Sequence, residues 1–261
     1  MNKRSIMITN LQLKLNQTNP GTLDLIKLFS LLAMILDHIN TLFLKPQIPE
    51  LYSLGRIAFP LFTLIWAINV NNNPARLQKR ANRLWVWSIL TQPIFTMTFI
   101  EQYPVYSINI LFVFAGVTQL LALRAKFGGK GTFAGVSLLL FMVVPLTPAS
   151  YGVQGIVLAT SLAVYFSSIQ RYRKYALICI AASLLTLNGI TYIVSRPADV
   201  ILFAVLPTLL LPAFTITAAQ HLSSVIPERF MPRRFFYWAY SGHLLILCIL
   251  AKLFLEQRIA L

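Results

Sequence analysis

The stretch "LDLIKLFSLLAMILDHINTLF", residues 23–43, decides the fold class. Roughly 20 mostly apolar residues are enough for one helix to cross the hydrocarbon core of a bilayer. Yet this run carries Asp24, Lys27, Asp37 and His38. Charged groups at membrane depth are costly, and they face a bundle interior, a partner or a water-filled cavity. The segment therefore reads as a spanning helix with one face turned to a working interior.

The rest of the chain supports that reading. It has 261 residues, of which 57% are hydrophobic and 11% charged. Soluble domains carry about a quarter charged residues. The balance of 22 Lys+Arg against 7 Asp+Glu gives a net charge of +15. In a soluble chain that excess would suggest nucleic acid. In a membrane chain the first question is whether the cations fall in alternate loops.

They do. Apolar runs place nine spans at 23–44, 51–70, 84–100, 104–123, 132–147, 152–168, 173–194, 199–219 and 235–255. The N-terminus holds Lys3, Arg4 and Lys14, and the second loop Arg76, Lys79, Arg80 and Arg83. The fourth loop holds Arg124, Lys126 and Lys130, the sixth Arg171, Arg173 and Lys174, and the eighth Arg229, Arg233 and Arg234. The intervening loops and the tail carry only Lys45, Arg196 and Arg258. This alternation predicts a cytoplasmic N-terminus, and it accounts for the net charge without nucleic acid. The expected class is an all-α polytopic membrane bundle: a short cytoplasmic segment, 1–22, then one transmembrane domain, 23–261. Residues 1–21 lack a continuous apolar region and a small-residue cleavage site, so no cleaved signal peptide is expected. Cys179 and Cys248 lie apart in apolar runs and read as packing residues. No HxxxH or CxxC spacing calls for a metal.

Helix geometry sorts the expensive residues. At about 100° per residue, Lys27, Leu31, Met34, His38 and Thr41 form one stripe, with Asp24 beside it. Asp37 points about 100° away from His38, so these neighbours address different partners. Arg56, in "LGRIAFPLF" (54–62), matches Asp37 in depth, and Pro60 can free a backbone carbonyl beside it. An Asp37–Arg56 pair follows, either fixing helix register or touching substrate. His38 is left for proton transfer or for a buried hydrogen bond. His243, in "FYWAYSGHLLILCIL" (236–250), has Tyr240 on a similar face, and Gly242 would admit a close helix. Asn109 and Gln119 either line the same cavity or bond another helix. His221, Asp199 and Glu101 sit at span ends, where solvation is cheaper. The basic loops set topology; a second role for Arg76, Lys79, Arg80, Arg83, Arg233 and Arg234 is to hold phosphates of an anionic cofactor.

Three motifs in this order resemble the TraX family of conjugative pilin acetylases. They are Met34-x-x-Asp37-His38, Gly55-Arg56-x-x-Phe59-Pro60-x-Phe62, and Phe236-Tyr237…Tyr240-x-x-His243-Leu244. The second span departs from the family pattern, ending in "WAINVNNNPARLQ" (66–78) where relatives often carry a small or acidic residue and then Gly. Asn69 occupies that place. The family is also distantly similar to membrane acyltransferases of the acyltransferase-3 type. The resemblance implies an inner-membrane N-acetyltransferase that moves an acetyl group from acetyl-CoA to the N-terminal amine of a pilin subunit. On that reading His38 is the general base, Arg56 orients the site or stabilises the oxyanion, Asp37 holds Arg56, and His243 assists as a second proton carrier or bonds the thioester carbonyl. Arg76, Arg80, Arg83, Arg233 and Arg234 would hold the donor. The expected partners are the pilin, acetyl-CoA and the bilayer. Acylation of another acceptor such as a sugar hydroxyl, or a proton-coupled transporter using Lys27, His38 and His243, are the alternatives.

Overall fold

The computed structural model describes residues 19–72, 74–167, 169–188, 190–222, 225–232 and 234–259. All regular structure among them is helical. Four helical stretches are long and apolar enough to cross a membrane: Pro49–Asn71, Leu111–Leu146, Pro197–His221 and Phe235–Leu253.

Helix α1, Pro20–Phe43, begins where local chemistry starts it. Pro20 sits in the first turn, and the Asn19 side chain accepts from the Thr22 backbone N–H at 2.8 Å. Its 24 residues extend about 36 Å. The second apolar run is not one helix. It divides into α2, Pro49–Gly55, and α3, Ala58–Asn71, with the break at Arg56 and Ile57. Pro60 has no N–H to return to the Arg56 carbonyl, so a continuous ladder is excluded at this point. The break sets Arg56 at a corner between two helices.

A 3₁₀ turn at Pro74–Arg76 leads into α4, Leu77–Thr98, which starts well before the expected residue 84. The next element, α5, Leu111–Leu146, bends back on itself at Gly128, where φ is 59° and ψ −128°. Glycine tolerates that backbone. The two arms then run side by side: a Cβ on Gly131 would meet the Leu123 carbonyl, and one on Gly135 would meet Leu120. These arms correspond to the expected segments 104–123 and 132–147, but the first starts only at Leu111. Residues 104–110 turn instead, because Asn109 is spent on α4. Its side-chain N–H donates to the Ser88 carbonyl and to Gln92 Oε1, both at 2.9 Å. Asn109 is fully buried, so it is a helix-to-helix tie. Gln119 likewise bonds Gln78.

Helix α6 spans Gly152–Phe166 and α7 spans Arg173–Thr186. The expected run 173–194 stops early because Asn188 turns its side chain toward Arg56 and Thr208. A short α8, Pro197–Val200, passes through a π-helical stretch, Ile201–Val205, into α9, Leu206–His221. Pro207 cannot donate to the Phe203 carbonyl, and Ser53 of α2 supplies a hydroxyl there at 3.0 Å. Helix α10 covers Phe235–Ile259 and packs on α4, where Thr91 bonds Ser241 at 2.7 Å and Thr98 donates to the Leu244 carbonyl. The main core runs between α1, α3, α5, α6 and α10 through Leu31, Phe59, Val113, Leu158 and Leu244.

Two smaller expectations are corrected. Cys179 is exposed on α7, while Cys248 is buried. Nothing lies within 4 Å of a Cβ built on Gly242, so that glycine serves no close helix contact.

Asn109→Ala would remove the side-chain bonds to the Ser88 carbonyl and Gln92 and the acceptor of the Leu111 N–H, and should cost about 1–3 kcal/mol. Thermal unfolding in detergent would register this as a lowered midpoint; an unchanged midpoint would show that the tie is dispensable.

Candidate functional site

A cavity of about 930 Å³ runs along the inner faces of α1 and α3. On α1 it touches Lys27, Leu31, Met34, His38 and Thr41, the stripe expected from helical spacing. Lys27 to Thr41 is about 21 Å of helix. Helix α3 runs the other way, so its start faces Thr41 and its end, Asn69 and Val70, lies near Lys27. The cavity thus has two chemically different ends.

One end is cationic, lined by Lys27, Arg76, Lys79, Arg80, Arg83 and Arg229. Arg80 and Arg83 are three residues apart on α4, and Arg76 ends the 3₁₀ turn just before that helix. Arg80 donates to the Asn69 carbonyl and bridges α4 to α3. Asn69 itself lines the cavity here and is exposed. Burial lowers the pKa of Arg80 and neighbouring Arg83 lowers it further. The Arg83 Nε is buried with no hydrogen-bond partner among the described residues. Asp24 organises the rim: its fully buried carboxylate accepts from Lys27 Nζ at 2.9 Å and from the Met231 N–H at 3.0 Å. That bond secures the 225–232 segment, which carries Arg229. Arg234 is exposed and does not line the cavity, and Arg233 lies outside the described residues. Arg229, by contrast, is on the segment that Asp24 holds.

The other end contains Asp37 and Arg56. Arg56 Nη2 donates to Asp37 Oδ1 at 2.8 Å and Oδ2 at 2.7 Å. Nη1 donates to Asn188 Oδ1 at 2.7 Å and Nε to the Tyr52 carbonyl at 3.0 Å. The guanidinium also stacks over the Tyr52 ring, 4.0 Å from its centroid. Asn188 passes the network on to Thr208 at 2.8 Å. All three nitrogens of Arg56 are therefore engaged by the protein. Gly55 makes this geometry accessible: a Cβ there would lie 2.4 Å from the Asp37 carboxyl carbon.

His38 stands between the two ends. Its Nδ1 is 3.0 Å from His243 Nε2, and the rings stack at 13°. His243 Nδ1 is 3.0 Å from the Ala239 carbonyl oxygen. A carbonyl only accepts, so His243 Nδ1 carries a hydrogen. In neutral His243, Nε2 is then the acceptor, and His38 Nδ1–H donates to it. This tautomer follows from the partners and leaves His38 Nε2 with its lone pair. Phe99 meets the His38 ring edge-on at 5.0 Å, and Tyr240 meets His243 at 5.5 Å. His243 does not line the cavity, so it stands behind His38.

Asp37, His38, Arg56, Arg76, Arg80 and Arg83 were legible as candidates in the sequence, and all line this one cavity. The His38–His243 contact was not, since no local pattern joins residues 205 positions apart. Lys79 was read with the phosphate-holding cations of its loop, and Arg229 only as a member of a basic loop. Asn188 could have been suspected as a polar residue inside an apolar run, followed by Gly189.

A sequence profile described as "TraX protein" matches residues 22–251. The chain is 34% identical over 234 residues to Protein TraX of Escherichia coli, covering 89% of this chain and 88% of that one. Protein TraX of Escherichia coli strain K12 is 33% identical over 234 residues, with the same coverage. No solved structure matches the chain.

Loss of either partner in the Arg56–Asp37 pair leaves an uncompensated charge. Asp37→Ala should cost about 3–5 kcal/mol, and an Asp37→Leu/Arg56→Met double variant should recover part of it. Equal unfolding midpoints for the wild type and Asp37→Ala would contradict this.

Proposed function

The chain belongs to the TraX family, and from that membership and its cavity we propose that it is an integral-membrane N-acetyltransferase. It would transfer the acetyl group of acetyl-CoA to the N-terminal amine of a pilin subunit. The observation that carries this reading is a histidine with a free Nε2 between a cationic end of the cavity and the net-neutral end that holds the Asp37–Arg56 pair.

The donor is an anion with several phosphates, and the cationic end suits it. Arg76, Lys79, Arg80, Arg83 and Arg229 would hold the phosphates, and the unpartnered Arg83 Nε is a buried donor suited to an acceptor oxygen. The acceptor would enter from the Asp37–Arg56 end. There His38 Nε2 takes a proton from the attacking amine as its nitrogen bonds the thioester carbonyl carbon. The carbonyl oxygen becomes an oxyanion, then reforms the double bond as the C–S bond breaks, and the protonated His38 returns a proton to the departing thiolate. His243 accepts from His38 Nδ1–H throughout and steadies the imidazolium that forms. Arg56 holds Asp37, Asn188 and the helix corner in register. Its placement supports a positioning role more than direct contact with the oxyanion.

The alternation of basic loops supports nine spans with the N-terminus in the cytoplasm and the donor mouth on the cytoplasmic side. Residence in a bacterial inner membrane belongs to the same proposal, supported by apolar helices long enough to span and by relatives from Escherichia coli.

Intact mass of a co-expressed pilin tests the reading. The wild type should add an acetyl-sized increment that His38→Ala abolishes; an unmodified pilin beside the wild-type chain would reject the function. His243→Ala should slow transfer roughly 10²-fold or more, the usual worth of a well-placed acid–base group. His243→Gln should restore part of that rate, because the Gln carbonyl can still accept from His38 Nδ1–H. Equal rates for the Ala and Gln variants would remove His243 from the relay.

A further inference from the structure

Tyr151 begins α6 with φ 65° and ψ 3°, in the left-handed region. For a bulky non-glycine residue this is a genuine outlier. Such conformations persist where the surroundings enforce them, and they cluster at functional sites. The enforcement is visible. The Tyr151 ring stacks on Phe59, with centroids 4.6 Å apart and planes at 20°. A Cβ on Gly155 would touch both residues, so the site leaves no slack beneath them.

The hydroxyl is the unusual part. A buried Tyr hydroxyl generally finds a hydrogen-bond partner. Tyr151 lines the cavity, and among the described residues no hydrogen bond uses its hydroxyl. Nor is that oxygen one of the sealed, unpartnered atoms of the interior. It therefore opens into the cavity. Phe59 lies one helical turn from Arg56, so the stack sets the phenol at the end of the cavity that holds the Asp37–Arg56 pair. A strained backbone, a stacked ring and a free hydroxyl all converge on the site.

The chemistry there calls for a donor. Acyl transfer places negative charge on the thioester oxygen, and a preorganised donor aimed at that oxygen is commonly a large catalytic term. The printed bonds of Arg56 run to Asp37, Asn188 and Tyr52, so its guanidinium is held by the protein and keeps only a spare N–H on Nη1. We propose that the Tyr151 hydroxyl is the hydrogen-bond donor to the oxygen of the tetrahedral intermediate, making it a catalytic residue. This rests on the acyl-transfer function proposed above. The amine nitrogen bonds the carbonyl carbon, and the C=O π pair moves to oxygen. Tyr151 O–H donates to that oxygen and keeps its proton. His38 removes the amine proton, the C–S bond breaks as the double bond reforms, and the thiolate leaves.

Tyr151→Phe is the test, because it deletes the hydroxyl and keeps the ring on Phe59. Initial rates of pilin acetylation by the full chain in detergent are compared with thermal midpoint and donor KM. The expected result is a fall in kcat of roughly 10²–10³-fold with midpoint and KM near wild type. A kcat within a few-fold of wild type would overturn the proposal. So would a fall in rate that tracks a lowered midpoint, which would assign the hydroxyl to folding. Inactive wild-type protein would instead reject the acyl-transfer function, and the proposal with it.

Discussion

The Asp37–Arg56 ion pair is the constraint around which the rest of the molecule is arranged. Two charges buried between apolar helices are tolerable only when paired and hydrogen-bonded. Arg56 meets that requirement through α1 at Asp37, α2 at Tyr52 and the end of α7 at Asn188, which in turn reaches α9 at Thr208. The local sequence serves the same geometry. Gly55 gives Asp37 room, Pro60 forbids an unbroken helix, and the resulting corner points the guanidinium inward.

With that end of the bundle fixed, adjacent residues acquire different duties. Asp37 and His38 stand about 100° apart on α1. Asp37 is committed to Arg56, while His38 turns into the cavity and donates to His243. The proposed base is thus held from behind by an imidazole that is itself held by the Ala239 carbonyl. At the other end, buried Asp24 secures Lys27 and the segment bearing Arg229. Both ends use an aspartate to place cations, one to close the bundle and one to arrange an open rim.

Local periodicity made much of this readable. The α1 stripe from Lys27 to Thr41 follows from 3.6 residues per turn, and matching depth between Asp37 and Arg56 sufficed to pair them. What was not readable depends on distant partners or on backbone detail. His243 meets His38 only through the docking of α10, which Thr91, Ser241 and Thr98 secure. The run 173–194 has the hydropathy of a helix, yet ends early because Asn188 is more valuable to Arg56 than to a helical turn. The π-helical stretch at Ile201–Val205 answers to Pro207 and to Ser53 on another element. Hydropathy does not see such bonds. Arg234 was grouped with the mouth by its loop alone, and the fold gives that place to Arg229.

On the proposed function, a base set between a cationic end and the net-neutral Asp37–Arg56 end would make transfer directional. The purified chain can be reconstituted in sealed vesicles, oriented by protease protection of a tag, with acetyl-CoA on one side only and a pilin-derived N-terminal peptide on the other. Acetylated peptide is expected when the donor faces the mouth lined by Arg76, Arg80 and Arg83, and not when the two are exchanged. Equal transfer from both sides, or transfer only from the opposite side, would contradict the assignment of the cationic end to the donor.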